Sequence, residues 1–100
     1  DQLYVVRGDV YIKLMDDKNA EKDYHTAISM NPKNFEGNYR LGNLYYRQSG
    51  SGKDKAQLKK AIPFYEQAYA IHSTRDGIDK QLKTAYKQAG EYNKIQMMKK

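Results

Sequence analysis

Gly8 and Tyr11 recur as Gly42 and Tyr45, a step of 34 residues. Ala20, Tyr24 and Ala27 recur as Ala61, Tyr65 and Ala68, a step of 41, and Tyr45 recurs once more as Tyr86, again 41 residues on. A period of this size restricts the fold severely. It means one supersecondary unit repeated and stacked, since a lone unit cannot bury its own apolar face. The two step lengths also locate an irregularity. Seven extra residues lie in the second unit, between Tyr46 and Ala61.

Within each unit the apolar spacing is helical. Leu3, Tyr4, Val6, Val10, Tyr11 and Leu14 form one stripe, and Ala20, Tyr24, Ala27, Ile28 and Met30 the next. Asp16-Asp17 marks the turn between them. Asn31-Pro32 ends the second helix, because proline donates no hydrogen bond and disfavours helical geometry in the residue before it. A third stripe runs from Phe35 through Tyr39 and Leu41 to Tyr45 and Tyr46. Ser49-Gly50-Ser51-Gly52 then interrupts with high backbone freedom. Asp54 is placed to cap a fourth helix carrying Leu58, Ala61, Ile62, Tyr65, Ala68 and Tyr69. Ser73 to Asp76 fits a capping box for a fifth helix with Ile78, Leu82, Ala85 and Tyr86. Gly90 closes that helix, and Tyr92, Ile95 and Met98 begin a short last one. The expectation is six helices in three hairpins, with units at about 1–34, 35–75 and 76–100. The insertion falls near 49–60. Small residues at Gly8, Gly42, Ala27 and Ala68 let helices approach closely while tyrosines fill the adjoining space.

At these positions the chain resembles the tetratricopeptide repeat family. Tyr4, Gly8, Tyr11, Ala20, Tyr24, Ala27 and Pro32 follow that family's pattern, as do Leu41, Gly42, Tyr45, Ala61, Tyr65 and Ala68. The third unit keeps Leu82, Tyr86, Gly90 and Tyr92. Arg7, Asn38, Lys83 and Ser73 depart from the pattern, and Ile95 and Lys99 leave the last hairpin as a capping unit. The resemblance implies an all-α, right-handed solenoid of antiparallel hairpins. The stretch from Asn34 to Tyr46, the insertion and Leu82 to Tyr92 are also similar to periplasm-associated repeat proteins of Bacteroidetes-type bacteria.

Bulk properties agree with one small helical domain. The chain has 100 residues, 39% hydrophobic and 30% charged, with two prolines, which argues against disorder. No apolar run approaches the ~20 residues that span a bilayer, so membrane insertion is not expected. Absence of cysteine excludes disulfides and thiolate metal sites. The opening at Asp1, without methionine, reads as a processed or excised piece, and the compartment stays open between cytoplasm and periplasm. A net charge of +6 suits a solvated lysine-rich surface or an acidic partner.

Family members hold an extended peptide or a helix in a concave groove lined by the first helix of each unit. Carried over by alignment, the groove positions are Gln2, Val5, Asp9, Ile12 and Lys13, then Glu36, Tyr39, Asn43, Tyr46 and Arg47, then Gly77, Lys80, Thr84, Lys87 and Gln88. Tyr39, Asn43 and Tyr46 share one helix face beside Arg47. The two rings either grip a peptide or pack against the neighbouring hairpin. The family's clamp for chaperone tails would fall on Val5, Asp9, Arg40, Gly77 and Gln81. These are mostly the wrong residue types, and Asp9 would repel a carboxylate, so no chaperone-tail binding is expected. Lys53, Lys55, Lys59 and Lys60 in the insertion offer either a partner contact or a solvated loop. His25 and His72 lack a second ligand at helical spacing, no carboxylate pair or nucleophile group is set for catalysis, and neither cofactor nor metal is implied. The expected function is a non-enzymatic scaffold for a protein or peptide partner, acidic in the sharper reading. The alternatives are a basic repeat that binds nucleic acid, which the scattered lysines disfavour, and a module that self-associates.

Overall fold

The computed structural model describes residues 1–98. Six α-helices follow in order: α1 (Gln2–Lys13), α2 (Asp17–Met30), α3 (Phe35–Gln48), α4 (Lys55–Ile71), α5 (Ile78–Gln88) and α6 (Tyr92–Met97). No strand occurs among the described residues. Helices pair as α1 with α2, α3 with α4 and α5 with α6, while α2 packs on α3 and α4 on α5. This is the consecutive neighbour pattern of an α-solenoid of helical hairpins, drawn out to 36 × 27 × 19 Å.

Short-range chemistry sets most boundaries. The Asp16 side chain accepts from the Asn19 amide at the start of α2, Asn34 from Gly37 at α3, and Asp54 from Ala56 and Gln57 at α4. Each satisfies an amide that the helix leaves without a partner. Asn31 turns extended ahead of Pro32 and ends α2. The expected capping box at Ser73 to Asp76 does not form. Asp76 and Gly77 are both left-handed, with φ 54° and 76°, and Gly77 stands at the N-cap of α5 without a side-chain bond. The tight turn carries Asp76 away from the helix start, and its backbone carbonyl accepts instead from the Tyr39 hydroxyl at 2.9 Å.

The repeat is visible as a repeated contact. A Cβ on Gly8 would stand 2.6 Å from the Tyr24 ring, and one on Gly42 would stand 2.7 Å from the Tyr65 ring. Both rings are buried against the bare backbone, and both hydroxyls donate back to the first helix of their hairpin. Tyr24 donates to Asp9 at 2.5 Å and Tyr65 to Asn43 at 2.7 Å. A second contact joins successive units. Tyr45 donates to Glu21 of α2, and Tyr86 to Glu66 of α4, at 2.5 and 2.6 Å.

Two of the departures from the repeat pattern find partners. Arg7 makes a two-pronged pair with Asp23, whose carboxylate is buried, at 2.8 and 2.9 Å. Buried Asn38 donates to the carbonyls of Pro32 and Asn34 and ties the turn to α3.

The seven extra residues are distributed. One extends α3, three lengthen the following turn and three begin α4 almost a turn early. The turn is anchored at two points but otherwise exposed, at Gly50, Ser51, Lys53 and Asp54. Ser49 is buried, its hydroxyl accepts from the Gly52 amide, and the Ser51 carbonyl accepts from Gln88 of α5 at 2.8 Å.

Candidate binding surface

Between α1 and α3 lies a hollow of about 410 Å³, lined by Asp9, Ile12, Lys13, Tyr24, Arg40, Asn43, Leu44 and Arg47. Five of the expected groove positions therefore meet here: Asp9, Ile12, Lys13, Asn43 and Arg47. They do so because both helices are first helices of their hairpins, and steps of three and four along each bring these positions onto one face. Ile12 gives the hollow its accessible apolar wall, with Leu44 and Tyr24 almost wholly buried at its floor and the polar groups around them.

The charges divide into tied and available. Arg40 Nε donates to both oxygens of Asp9, at 3.1 and 3.3 Å, and the same carboxylate accepts from Tyr24. Asp9 is thereby neutralised within the wall. Burial, then the bond to Asp9, pushes the Tyr24 phenol well above its ordinary value, with Arg40 and Arg47 opposing. It remains a neutral donor under ordinary conditions. Arg47 reaches Asp17 of α2 at 2.5 Å, with both side chains partly exposed. Such a pair contributes at most about 1 kcal/mol and gives way readily to a better acceptor. Lys13 is exposed and has no ion-pair partner among the described residues.

Other expected positions fall elsewhere. Val5 must be corrected: it is 1% exposed and belongs to the core, so its side chain offers a partner no surface. Val5 sits on the inner side of α1, where the pairing with α2 covers it. Tyr39 and Tyr46 are half-buried and flank the Tyr65 ring, with centroids 6.3 and 6.4 Å away. Their hydroxyls donate to the backbone at Asp76 and Ser51. The packing alternative thus describes what both rings touch in the free chain. Glu36 is engaged by Arg75, which also stacks over Phe35. Lys80, Thr84 and Lys87 are exposed on α5, away from the hollow, and Lys80 borders a separate depression with Tyr69 and Ile95.

Sequence reasoning did not include Arg40, Leu44 or Tyr24 in the groove. Arg40 was legible only as a clamp position. Tyr24 was assigned wholly to packing, although one side of its ring borders the hollow. Among the described residues no group of three or more His, Asp or Glu side chains could hold a metal ion, and no helix is long and apolar enough to cross a membrane.

A family model described as TPR repeat matches residues 8–49, which spans α2 and α3 together with the end of α1. No curated protein matches the chain. Six helices in consecutive hairpins are consistent with units of that kind, and the stretch 8–49 is where the chain is similar to that repeat.

Proposed function

We propose that this chain is a scaffold module that holds an acidic, partly apolar peptide or helix in the groove of its first helices, centred on the hollow between α1 and α3. Tetratricopeptide repeats generally are protein–protein interaction scaffolds and typically not enzymes. The observation that carries the finer reading is the hollow itself: an apolar wall from Ile12 over Leu44, with Lys13 free and Arg47 only loosely held at its edge. An apolar side chain of the partner fills the hollow, and a neighbouring carboxylate takes Lys13 and draws Arg47 from Asp17. Arginine suits this role because its planar fork pairs with both carboxylate oxygens. The net charge of +6 adds longer-range attraction for an acidic segment.

Fluorescence anisotropy with two labelled peptides tests the reading, one alternating glutamate and leucine, the other lysine and leucine. The acidic peptide binds in the micromolar range, and Lys13→Glu with Arg47→Glu weakens it at least about tenfold, as loss of two charge-assisted contacts implies. Equal binding of both peptides, or indifference to the double substitution, would remove the proposal. The charge also motivates a second reading, nucleic acid. A single-stranded oligonucleotide titrated over a salt series would support it by a steep loss of affinity with salt.

A further inference from the structure

The turns inside the three hairpins lie along one edge of the solenoid. Arg47 at the end of α3 reaches Asp17 beside the first turn, and Gln88 at the end of α5 reaches Ser51 in the second. The third, Ala89 to Glu91, follows Gln88 directly. Segments 13–18, 47–55 and 87–94 on this edge carry six lysines and Arg47 against four carboxylates. The turns of the opposite edge, 30–36 and 71–80, balance three basic residues against three acidic ones. All four carboxylates of the basic edge are already engaged. Asp16 and Asp54 cap helices, Asp17 holds Arg47, and Glu91 holds Lys94 at 3.4 Å. Lys13, Lys18, Lys53 and Lys87 are exposed and have no ion-pair partner among the described residues.

The same edge holds out apolar side chains that the core does not use. Met15 is 88% exposed and Leu14 68% at the first turn, and Tyr92 is 63% exposed at the third. Met15 is the most telling of these. It takes a left-handed backbone, φ 60°, directly after the C-cap of α1. Glycine or asparagine suits that position, because a side chain there crowds the following carbonyl. Neither backbone preference nor burial accounts for a methionine. An apolar side chain held out at a turn, with Lys13 and Lys18 on either side in sequence, fits a surface of anionic headgroups over hydrocarbon.

We propose that this edge docks peripherally on an anionic lipid bilayer, with Leu14, Met15 and Tyr92 entering the boundary between headgroups and acyl chains and the lysines pairing with headgroup phosphates and carboxylates. Docking of this kind needs no spanning helix, and no helix among the described residues is long and apolar enough to be one. Attraction of basic residues to an anionic leaflet and shallow burial of apolar side chains add to one another. Tyrosine suits the boundary, since its ring is apolar and its hydroxyl stays wet. A nucleic acid would take up the lysines but offers Leu14 and Met15 no place on its phosphate backbone. Leu14, Met15 and Tyr92 do not line the hollow between α1 and α3, so the edge and the groove are tested apart.

The test is flotation of the intact chain with vesicles of phosphatidylcholine, with and without added phosphatidylserine. The chain should float with the phosphatidylserine vesicles and stay behind with the neutral ones. Leu14→Ser with Met15→Ser should weaken binding at least about tenfold, as loss of two apolar contacts implies. Lys18→Glu with Lys53→Glu should weaken it at least about tenfold as well. Lys33→Glu with Lys80→Glu makes the same change of net charge on the opposite edge and should cost less than about threefold, because screening confines the attraction to nearby charges. Met15→Gly is the most discriminating single change. Glycine relieves the left-handed position, so the urea midpoint should hold or rise while vesicle binding falls. The glutamate–leucine peptide should bind the Leu14 and Met15 variants as it binds the parent chain. Equal flotation with neutral vesicles, no flotation at low salt, or indifference to the Leu14 and Met15 changes would overturn the proposal. So would binding of a single-stranded oligonucleotide without flotation, since the lysines would then serve nucleic acid.

Discussion

Tyr24 and Tyr65 hold the same place in successive units, each seated on a glycine and hydrogen-bonded to the first helix of its hairpin. Their surroundings differ. Tyr65 is walled in by the rings of Tyr39 and Tyr46. The residues 34 positions earlier are Val5 and Ile12, which are smaller, and beside Ile12 the Tyr24 ring borders an open hollow. The insertion widens the contrast, because its turn meets Tyr46 and Gln88 at the second junction only. One repeated framework has therefore been given a filled junction between α3 and α5 and an open one between α1 and α3. Aromatic volume at two positions, together with the longer turn at the second junction, separates them.

Alkaline titration tests what the two junctions share, and should have the largest effect. Burial raises the phenol values of Tyr24, Tyr45, Tyr65 and Tyr86 above the unfolded value of 10.0. Below that value every phenol is neutral in both states, and the stability they contribute is complete. Above it the unfolded chain loses protons first, so stability falls as pH climbs from 10 toward the raised native values. Circular dichroism should show helix lost in that range, coinciding with the rise of near-ultraviolet phenolate absorbance. Phenolate appearing in all four well before helix loss would contradict the burial described above.

Glycine substitutions come next and separate the junctions. Alanine at Gly42 drives a methyl into a Tyr65 ring that has neighbours on both sides, whereas at Gly8 the Tyr24 ring has the hollow beside it. Gly42→Ala is expected to cost about 2 kcal/mol and Gly8→Ala about 1, the overpacking strain in each being offset in part by alanine's helix propensity. Urea unfolding measures both. Equal costs would mean that the hollow gives Tyr24 no room to relax.

Exchange of side chains between junctions follows. Ile12→Tyr should fill the hollow as Tyr46 fills its counterpart, and weaken the acidic peptide about tenfold, roughly 1.4 kcal/mol, with little change in stability. Tyr46→Ile should leave that affinity unchanged while opening space beside Tyr65. An Ile12→Tyr chain that binds as before would place the peptide elsewhere in the groove.

The contrast was only partly readable in advance. Hairpins, caps at Asp54 and stops at Asn31 follow from local chemistry, and the glycine–tyrosine seats follow from the period. Asp9, Ile12, Lys13, Asn43 and Arg47 could be placed by alignment on one side of the first helices, and there they line the hollow on which the proposed groove rests. Alignment does not measure side-chain volume across a junction. It therefore treated Val5 and Tyr39 alike, although one is a core residue and the other a filler of the second junction. The Ser49–Gly52 turn takes the left-handed backbone its composition allows, at Gly50, Ser51 and Gly52, but its long-range contact was not legible. Its composition reports backbone freedom, but the contact with Gln88 depends on a residue almost forty positions away. Asp76 shows the same limit, since its left-handed conformation is fixed by the turn into α5 and by Tyr39, not by the four residues that spell a capping box.

The smallest expected effects concern the hydroxyls that close the filled junction. Tyr39 donates to Asp76 at 2.9 Å and Tyr46 to Ser51 at 3.3 Å, both to backbone carbonyls in exposed surroundings. Phenylalanine keeps the ring that packs on Tyr65 and removes only the donor, and water can satisfy the carbonyl left behind. Each change should therefore cost about 0.5 kcal/mol, the low end for a hydrogen bond in a wet setting. Tyr39→Phe should cost the more, because its bond is shorter and pins a left-handed residue. Tyr39→Ala and Tyr46→Ala, by comparison, remove the ring and should cost several times as much. If phenylalanine and alanine proved equally destabilising at either position, the hydroxyl and not the ring would be what holds the junction shut. The aromatic-volume account of why one junction is open and the other filled would then have to be replaced by one based on backbone tethering.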